Sequence, residues 1–114
     1  MPRSNQARGR WGEDRAAAWY RSHGYTITAR NWRAVAGEVD LIARRGDVVV
    51  VCEVKARRTD DYGPPSAAVG PVKQRRLRRL AAEWLAASGV HGVEVRFDVV
   101  TITGTALEVI ENAF

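Results

Sequence analysis

The chain has 114 residues, 46% of them hydrophobic, with a net charge of +5 and a sequence pI of about 10.1. That is enough for one compact core and too little for two, and the apolar share excludes disorder over the whole length. Of the 18 basic residues 16 are Arg; guanidinium groups pair with phosphate in a bidentate way, so a nucleic-acid partner stands beside the plainer reading of a solvated Arg-rich surface.

In chain order, residues 1–10 carry Arg3, Arg8 and Arg10 with no apolar anchor before Trp11, and read as a loose basic arm. Their lack of an apolar signal core, together with a single cysteine (Cys52) that excludes an intrachain disulfide and Cys/His metal motifs, leads us to expect a cytoplasmic protein. From Trp11 to His23, Gly12, Ala16, Trp19, Tyr20 and His23 fall on one helical face. Gly24 stops this helix as a left-handed cap, onto which Tyr25 folds back. His23 reads as a packed or capping residue. Tyr25–Trp32 is a first strand by its β-branched alternation, Arg33–Gly37 a turn, Glu38–Arg44 a second strand, and Asp47–Lys55 a third. Residues 56–70, with Gly63, Pro64, Pro65 and Gly70, form a loop. Pro71 opens a second helix that runs to Ser88, with Leu77, Leu80, Ala81, Trp84 and Leu85 inward and Arg75, Arg76, Arg78 and Arg79 outward. Glu94–Thr103 and Thr105–Ile110 are the last strands, and Asp98 reads as a structural acid. The order predicts a single α/β domain with a mixed sheet flanked by helices over residues 11–114. The longest apolar run, Val48–Cys52, is far short of the ~20 residues a membrane span needs, so no membrane partner is expected.

The third strand ends in Glu53-Val54-Lys55. Residues two apart share a strand face, so Glu53 and Lys55 point the same way from a strand that is otherwise apolar. With Arg45-Gly46 as a two-residue hairpin loop, Arg44 pairs with Asp47, Ile42 with Val49 and Asp40 with Val51. One face then holds Val39, Leu41, Ala43, Val48, Val50, Cys52 and Val54, and must be buried under a helix. The other carries Asp40 diagonal to Glu53, roughly 7–8 Å away. Two readings fit this patch. Two hard carboxylates with the Val54 backbone carbonyl suit Mg²⁺ (or Mn²⁺), with Lys55 beside them to position or deprotonate water or to stabilise a phosphorane-like transition state. Alternatively, Lys55 forms a structural ion pair with Glu53 or Asp40. A lysine between two acids is expected to keep its charge, which favours the electrostatic role.

Gly37-Glu38-Val39-Asp40-Leu41-Ile42, followed by Val51-Cys52-Glu53-Val54-Lys55-Ala56-Arg57, resembles the PD-(D/E)xK restriction-endonuclease-like superfamily. Across roughly residues 9–110 the chain is similar to the bacterial UPF0102 (YraN-like) family. The supporting stretches are Gly12-Glu13, Arg30-Asn31-Trp32-Arg33, Glu53 to Arg58, Ala67-Ala68-Val69 ahead of Lys73-Gln74, and Arg96-Phe97-Asp98-Val99. It departs from the superfamily's name in one place, with Val39 where the proline would stand. The resemblance implies an αβββαβ nuclease core similar to Holliday-junction resolvases, with Glu13 as a helix-borne acid completing the metal site. Gln74 is a candidate site residue on the second helix, although a solvent-facing role at the helix start suits it equally.

The expected function is a metal-dependent endonuclease that hydrolyses nucleic-acid phosphodiester bonds, with branched or junction DNA among its substrates and DNA favoured over RNA. Its catalytic set is Asp40, Glu53, Lys55, Glu13 and Gln74, and its metal ligands are Asp40, Glu53, Glu13 and the Val54 carbonyl. Arg57, Arg58, Lys73, Arg75, Arg76 and Arg79 would contact the backbone without reading sequence. The alternatives are a non-catalytic nucleic-acid-binding module on the same scaffold and a basic adaptor protein. The relatives' symmetric cutting implies a homodimer.

Overall fold

The computed structural model describes residues 2–58 and 69–114. Its elements are α1 (Pro2–Ser22), β1 (Thr26–Ala34), β2 (Gly37–Arg45), β3 (Val48–Arg57), α2 (Pro71–Ser88), β4 (Glu94–Thr103) and β5 (Ala106–Ile110). The strands form one sheet in the order β1-β2-β3-β4-β5. All neighbours are antiparallel except β3 and β4, which run parallel and are joined by the crossover through α2. This is the mixed α/β sheet and αβββαβ order expected, with β5 as an added edge strand. Most of the loop expected over residues 56–70 lies outside the described residues. Among the described residues no helix is long and apolar enough to cross a membrane.

Each helix covers one face. Ala16, Ala17 and Tyr20 of α1 pack with Leu41, Ala43, Val50, Cys52, Val100 and Ile102. On the opposite face Leu77, Leu80, Ala81 and Trp84 of α2 pack with Ile42, Val49, Val51, Phe97 and Val99. Gly12 lets α1 lie flat on β3, since a Cβ there would stand 2.8 Å from the Ala56 Cβ. Gly24 (φ 86°) and Gly89 (φ 73°) end the two helices in the left-handed region that their sequence positions predict. His23 caps its own helix, stacked on Trp19 with Nδ1 2.8 Å from the Trp19 carbonyl.

Three local features differ from the sequence pattern. First, α1 begins at Pro2 rather than near Trp11. Its early turns are held by long-range contacts: Arg8 donates to the Arg57 carbonyl (2.6 Å) and to that of Gly104, Arg15 donates to the Thr105 carbonyl (2.6 Å), and both guanidinium groups lie over Trp11. Second, the hairpin loop is Gly46-Asp47, because Arg45 pairs with Val48 and Ile42 with Val51. A glycine at the first loop position (Gly46, φ 62°) suits a tight hairpin turn. The two-residue shift keeps every side chain on its predicted face. Third, Val39 leaves the face it should share with Leu41 and joins the α2 cluster. Alternation fails at Asn31, which adopts φ 52° between the pairs Arg30↔Leu41 and Trp32↔Val39, whereas the register itself shifts earlier, between Ile27 and Ala29.

Candidate active site

The revised register brings Asp40 closer to Glu53 than the predicted diagonal. The β2–β3 ladder ends at Leu41↔Cys52, so one step further sets Asp40 beside Glu53. Asp40 Oδ2 accepts a hydrogen bond from the Val54 backbone N–H at 2.8 Å, which pins its carboxylate across the end of β3. Glu53 is 6% exposed. On the β1 side Asp40 lies opposite the left-handed Asn31, between the pairs Arg30↔Leu41 and Trp32↔Val39. Asp40 and Glu53 line a cleft of about 290 Å³ with Gly37, Glu38, Lys73, Arg76 and Leu77.

The electrostatics of this cleft are those of a cation site. Burial pushes the Asp40 carboxyl up, the nearby Glu53 adds to the effect, and its proton is held up to about pH 7. Two close carboxylates in a partly desolvated cleft resist joint ionisation, and a divalent ion between them would relieve both. Among the described residues no three His, Cys, Asp or Glu side chains stand together as a ready-made cage. The donor set is therefore two carboxylates, which fits Mg²⁺, an ion that keeps several waters and takes substrate oxygens as further ligands.

Lys73, in the first turn of α2, reaches into this cleft. Its Nζ lies 2.6 Å from Glu53 Oε1, so the ion pair expected between Lys55 and an acid is made instead by Lys73. Lys55 shares the Glu53 side of β3. Burial lowers its proton affinity, and the adjacent Lys73 lowers it further, against the pull of Glu53 and Asp40. The shift is downward although two acids flank Lys55, because desolvation and a second lysine oppose them.

The other predicted residues are placed apart from this pair. Glu13 faces a neighbouring cleft of about 670 Å³ lined by Gly9, Arg10, Asp14, Arg30, Asn31 and Arg33. There Asn31 Nδ2 donates to Glu13 Oε1 at 3.0 Å, and Arg30 stands 3.8 Å from the same oxygen. Burial raises the proton affinity of Glu13, Arg30 opposes this, and Glu38, Asp14 and Glu53 add to it, so Glu13 feels the Asp40–Glu53 site without lining its cleft. The Arg33–Glu38 ion pair (3.2 Å) joins a residue of each cleft. Gln74 uses its amide to donate to the Val69 carbonyl at 3.1 Å, which ties down the entry to α2. Arg58, Arg75, Arg76 and Arg79 are exposed, Arg57 is half-buried, and Arg79 lies 3.9 Å from Glu83. Arg78 lies over the Phe97 and Phe114 rings.

Glu38, Asn31 and the inward reach of Lys73 were not anticipated as parts of the site. Spacing offered a signal for Lys73, since residues 73, 77 and 81 recur at i, i+4, i+8 on the inward stripe as well as 74, 77 and 81 do. No pattern announces a left-handed Asn in mid-strand.

The model of the family described as "Uncharacterised protein family UPF0102" matches residues 12–102. A UPF0102 protein of Rhodococcus jostii is 55% identical over 98 residues, covering 86% of this chain and 83% of its own. One from Acidothermus cellulolyticus is 44% identical over 126 residues, covering 97% and 96%, and one from Syntrophus aciditrophicus is 42% identical over 114 residues, covering 96% and 90%. With the fold, the register and the ordered motifs in agreement, the chain belongs to the UPF0102 family.

Proposed function

We propose that this protein is a divalent-metal-dependent endonuclease that hydrolyses nucleic-acid phosphodiester bonds. One observation carries the reading: two carboxylates from adjacent strands, Asp40 and Glu53, share the floor of a cleft whose rim bears Lys73 and Arg76, and burial together with the nearby Glu53 holds the Asp40 proton up to about pH 7. Asp40 and Glu53 would hold Mg²⁺ or Mn²⁺, with the Val54 carbonyl at the same strand end as a further oxygen. Such an ion supplies Lewis-acid polarisation of the phosphate and a more acidic bound water.

The chain's own residues do the rest. The Val54 N–H fixes the orientation of Asp40. Lys55, with its proton affinity lowered, holds or passes a proton at Nζ beside the attacking water and offsets charge developing on the phosphate. Arg76, with Arg75, Arg79, Arg57 and Arg58, would bind flanking phosphates and position the backbone. Glu13 tunes the field from the adjoining cleft. DNA, branched or junction forms included, is the proposed substrate, and a homodimer would supply the two sites that symmetric cutting needs; sedimentation tests the dimer.

The test is cleavage of labelled four-way junction, duplex and single-stranded DNA, and of RNA, in Mg²⁺, with Asp40→Ala and Glu53→Ala as controls. Metal-dependent cleavage lost in both variants supports the site, and cleavage unchanged in both removes it. The Lys73–Glu53 ion pair favours a second reading, in which a lysine permanently replaces the metal and the scaffold only binds nucleic acid. It predicts salt-dependent DNA binding with no uptake of Mg²⁺ or Mn²⁺.

A further inference from the structure

Glu53 is the most deeply placed carboxylate of the cleft, and it already has a cation. Lys73 Nζ sits 2.6 Å from Glu53 Oε1, and its side chain is 29% exposed against 8% for Glu53. The lysine arrives from the first turn of α2, behind a backbone that needs no help from it. Gly70 is the N-cap, Pro71 takes the first helical position, the Gln74 N–H bonds the Gly70 carbonyl, and the Gln74 amide ties Val69. A helix N-terminus is a poor place for a lysine, since the macrodipole is positive there. The reason for this residue is therefore to be sought in the cleft rather than in the helix.

We propose that Lys73 is the resident counter-cation of the metal site: its ammonium holds Glu53 when no divalent ion is bound, and metal entry displaces it toward the phosphate. This rests on the metal-site reading above. Glu53 Oε1 is occupied by Lys73 at 2.6 Å, and a Mg²⁺ taken up by the same carboxylate would stand close to the ammonium, where the two cations repel. Metal binding therefore favours release of Lys73, and the apparent affinity is lowered while Lys73 stays in place. Once released, the ammonium stays tethered one helical turn from Leu77 on the cleft wall, beside Arg76, where an incoming phosphate gives it a new partner. Substrate that captures Lys73 thereby favours metal loading, and metal loading frees Lys73 for substrate, so the two binding events are reciprocally coupled.

The experiment is calorimetric titration of the full chain with Mn²⁺, free of nucleic acid, for the wild type, Lys73→Gln, Lys73→Arg and Arg76→Gln, with melting curves to show that each variant folds. The expected result is Mn²⁺ binding roughly tenfold tighter in Lys73→Gln, as expected when a competing state that holds about nine molecules in ten is removed. Lys73→Arg should stay near the wild type. Arg76→Gln removes a charge from the same cleft without touching the Glu53 ion pair, and should change the affinity less than about twofold. Equal tightening by Lys73→Gln and Arg76→Gln would show a general field effect and overturn the proposal. Unchanged or weaker Mn²⁺ binding in Lys73→Gln would overturn it too, while leaving the metal site standing. No Mn²⁺ uptake by any of the four proteins would overturn the metal reading and this proposal with it.

Discussion

Two aspartates in this molecule, one fully buried and one half-buried, are opposites. Asp98, fully buried on β4, is completely answered. The Tyr20 hydroxyl donates to it at 2.7 Å, Arg96 grips both carboxylate oxygens at 2.9 Å, and the Asn112 N–H bonds Oδ1 at 3.0 Å. Arg96 in turn donates to the Tyr25 hydroxyl, and its own proton affinity is raised mainly by its bonds to Asp98. Asp40 has one backbone N–H and a second carboxylate for a neighbour, and its proton is held up to about pH 7. A buried charge with every lone pair satisfied ties elements together. Here α1, β4 and the segment after β5 meet at Asp98. A buried charge left short of partners is an opening for a ligand. The two acids are alike in sequence, each inside an alternating strand, and only their surroundings separate them.

That contrast can be broken in the laboratory. The largest expected effect is Asp98→Ala, which takes the shared carboxylate away from Arg96, the buried Tyr20 hydroxyl and the Asn112 N–H. Removing one partner of a buried pair costs about 3–5 kcal/mol, and urea unfolding should show a loss of that order. Asp40→Asn should do the reverse on both counts. It keeps the fold at or above wild-type stability, because a neutral amide beside Glu53 ends the repulsion. It also lowers Mg²⁺-dependent cleavage of junction DNA on the order of 100- to 1000-fold, a transition-state loss of several kcal/mol. An Asp40→Asn protein as unstable as Asp98→Ala would erase the distinction.

Smaller effects sharpen it. Gly12→Ala places a methyl 2.8 Å from the Ala56 Cβ, at the strand end that carries the Asp40–Glu53 cleft and away from Asp98. Overpacking of this kind costs about 1–3 kcal/mol, and α1 should lift from β3 there, weakening metal binding while the Asp98 network persists. Aromatic circular dichroism of Tyr20 and Tyr25 reads that network independently of calorimetry at the cleft. The smallest effect is on pH dependence. The folded-state value for Asp40 lies above its ordinary 3.8. Its contribution to stability is therefore complete below about pH 4 and is lost as the pH rises through about 7. Melting temperature of the metal-free protein should fall across that window more steeply in the wild type than in Asp40→Asn, and saturating Mn²⁺ should flatten the wild-type curve.

Much of this was legible in the chain. Glycine and proline marked the ends of α2 and the stop of α1 because their backbone restrictions are local. Alternation assigned the faces of β3 because the side-chain period of a strand is two, and an error of two residues in the hairpin register left those faces unchanged. Hence Asp40, Glu53 and Lys55 could be brought to one end of the sheet from their order alone. The early turns of α1 were not legible, because they are held by carbonyls at Arg57, Gly104 and Thr105, some fifty to one hundred positions away.

The chemistry of the cleft belongs to the tertiary structure. Which side chain of α2 meets Glu53 depends on how the helix seats on the sheet, since neighbouring residues such as Lys73 and Gln74 lie about 100° apart around its axis. The left-handed backbone at Asn31 arises where two strands pair, and Val39 changes face beside it. Proton affinities are set by burial and by charges brought near from other elements, so Lys55 shifted against the direction its neighbours in sequence implied. Residue types and short-range periodicity, which need no partner, were sufficient for the fold and for the pair of acids. The division between an acid that binds the protein together and one left with few partners required the packing of α1 and α2 on opposite faces of the same sheet.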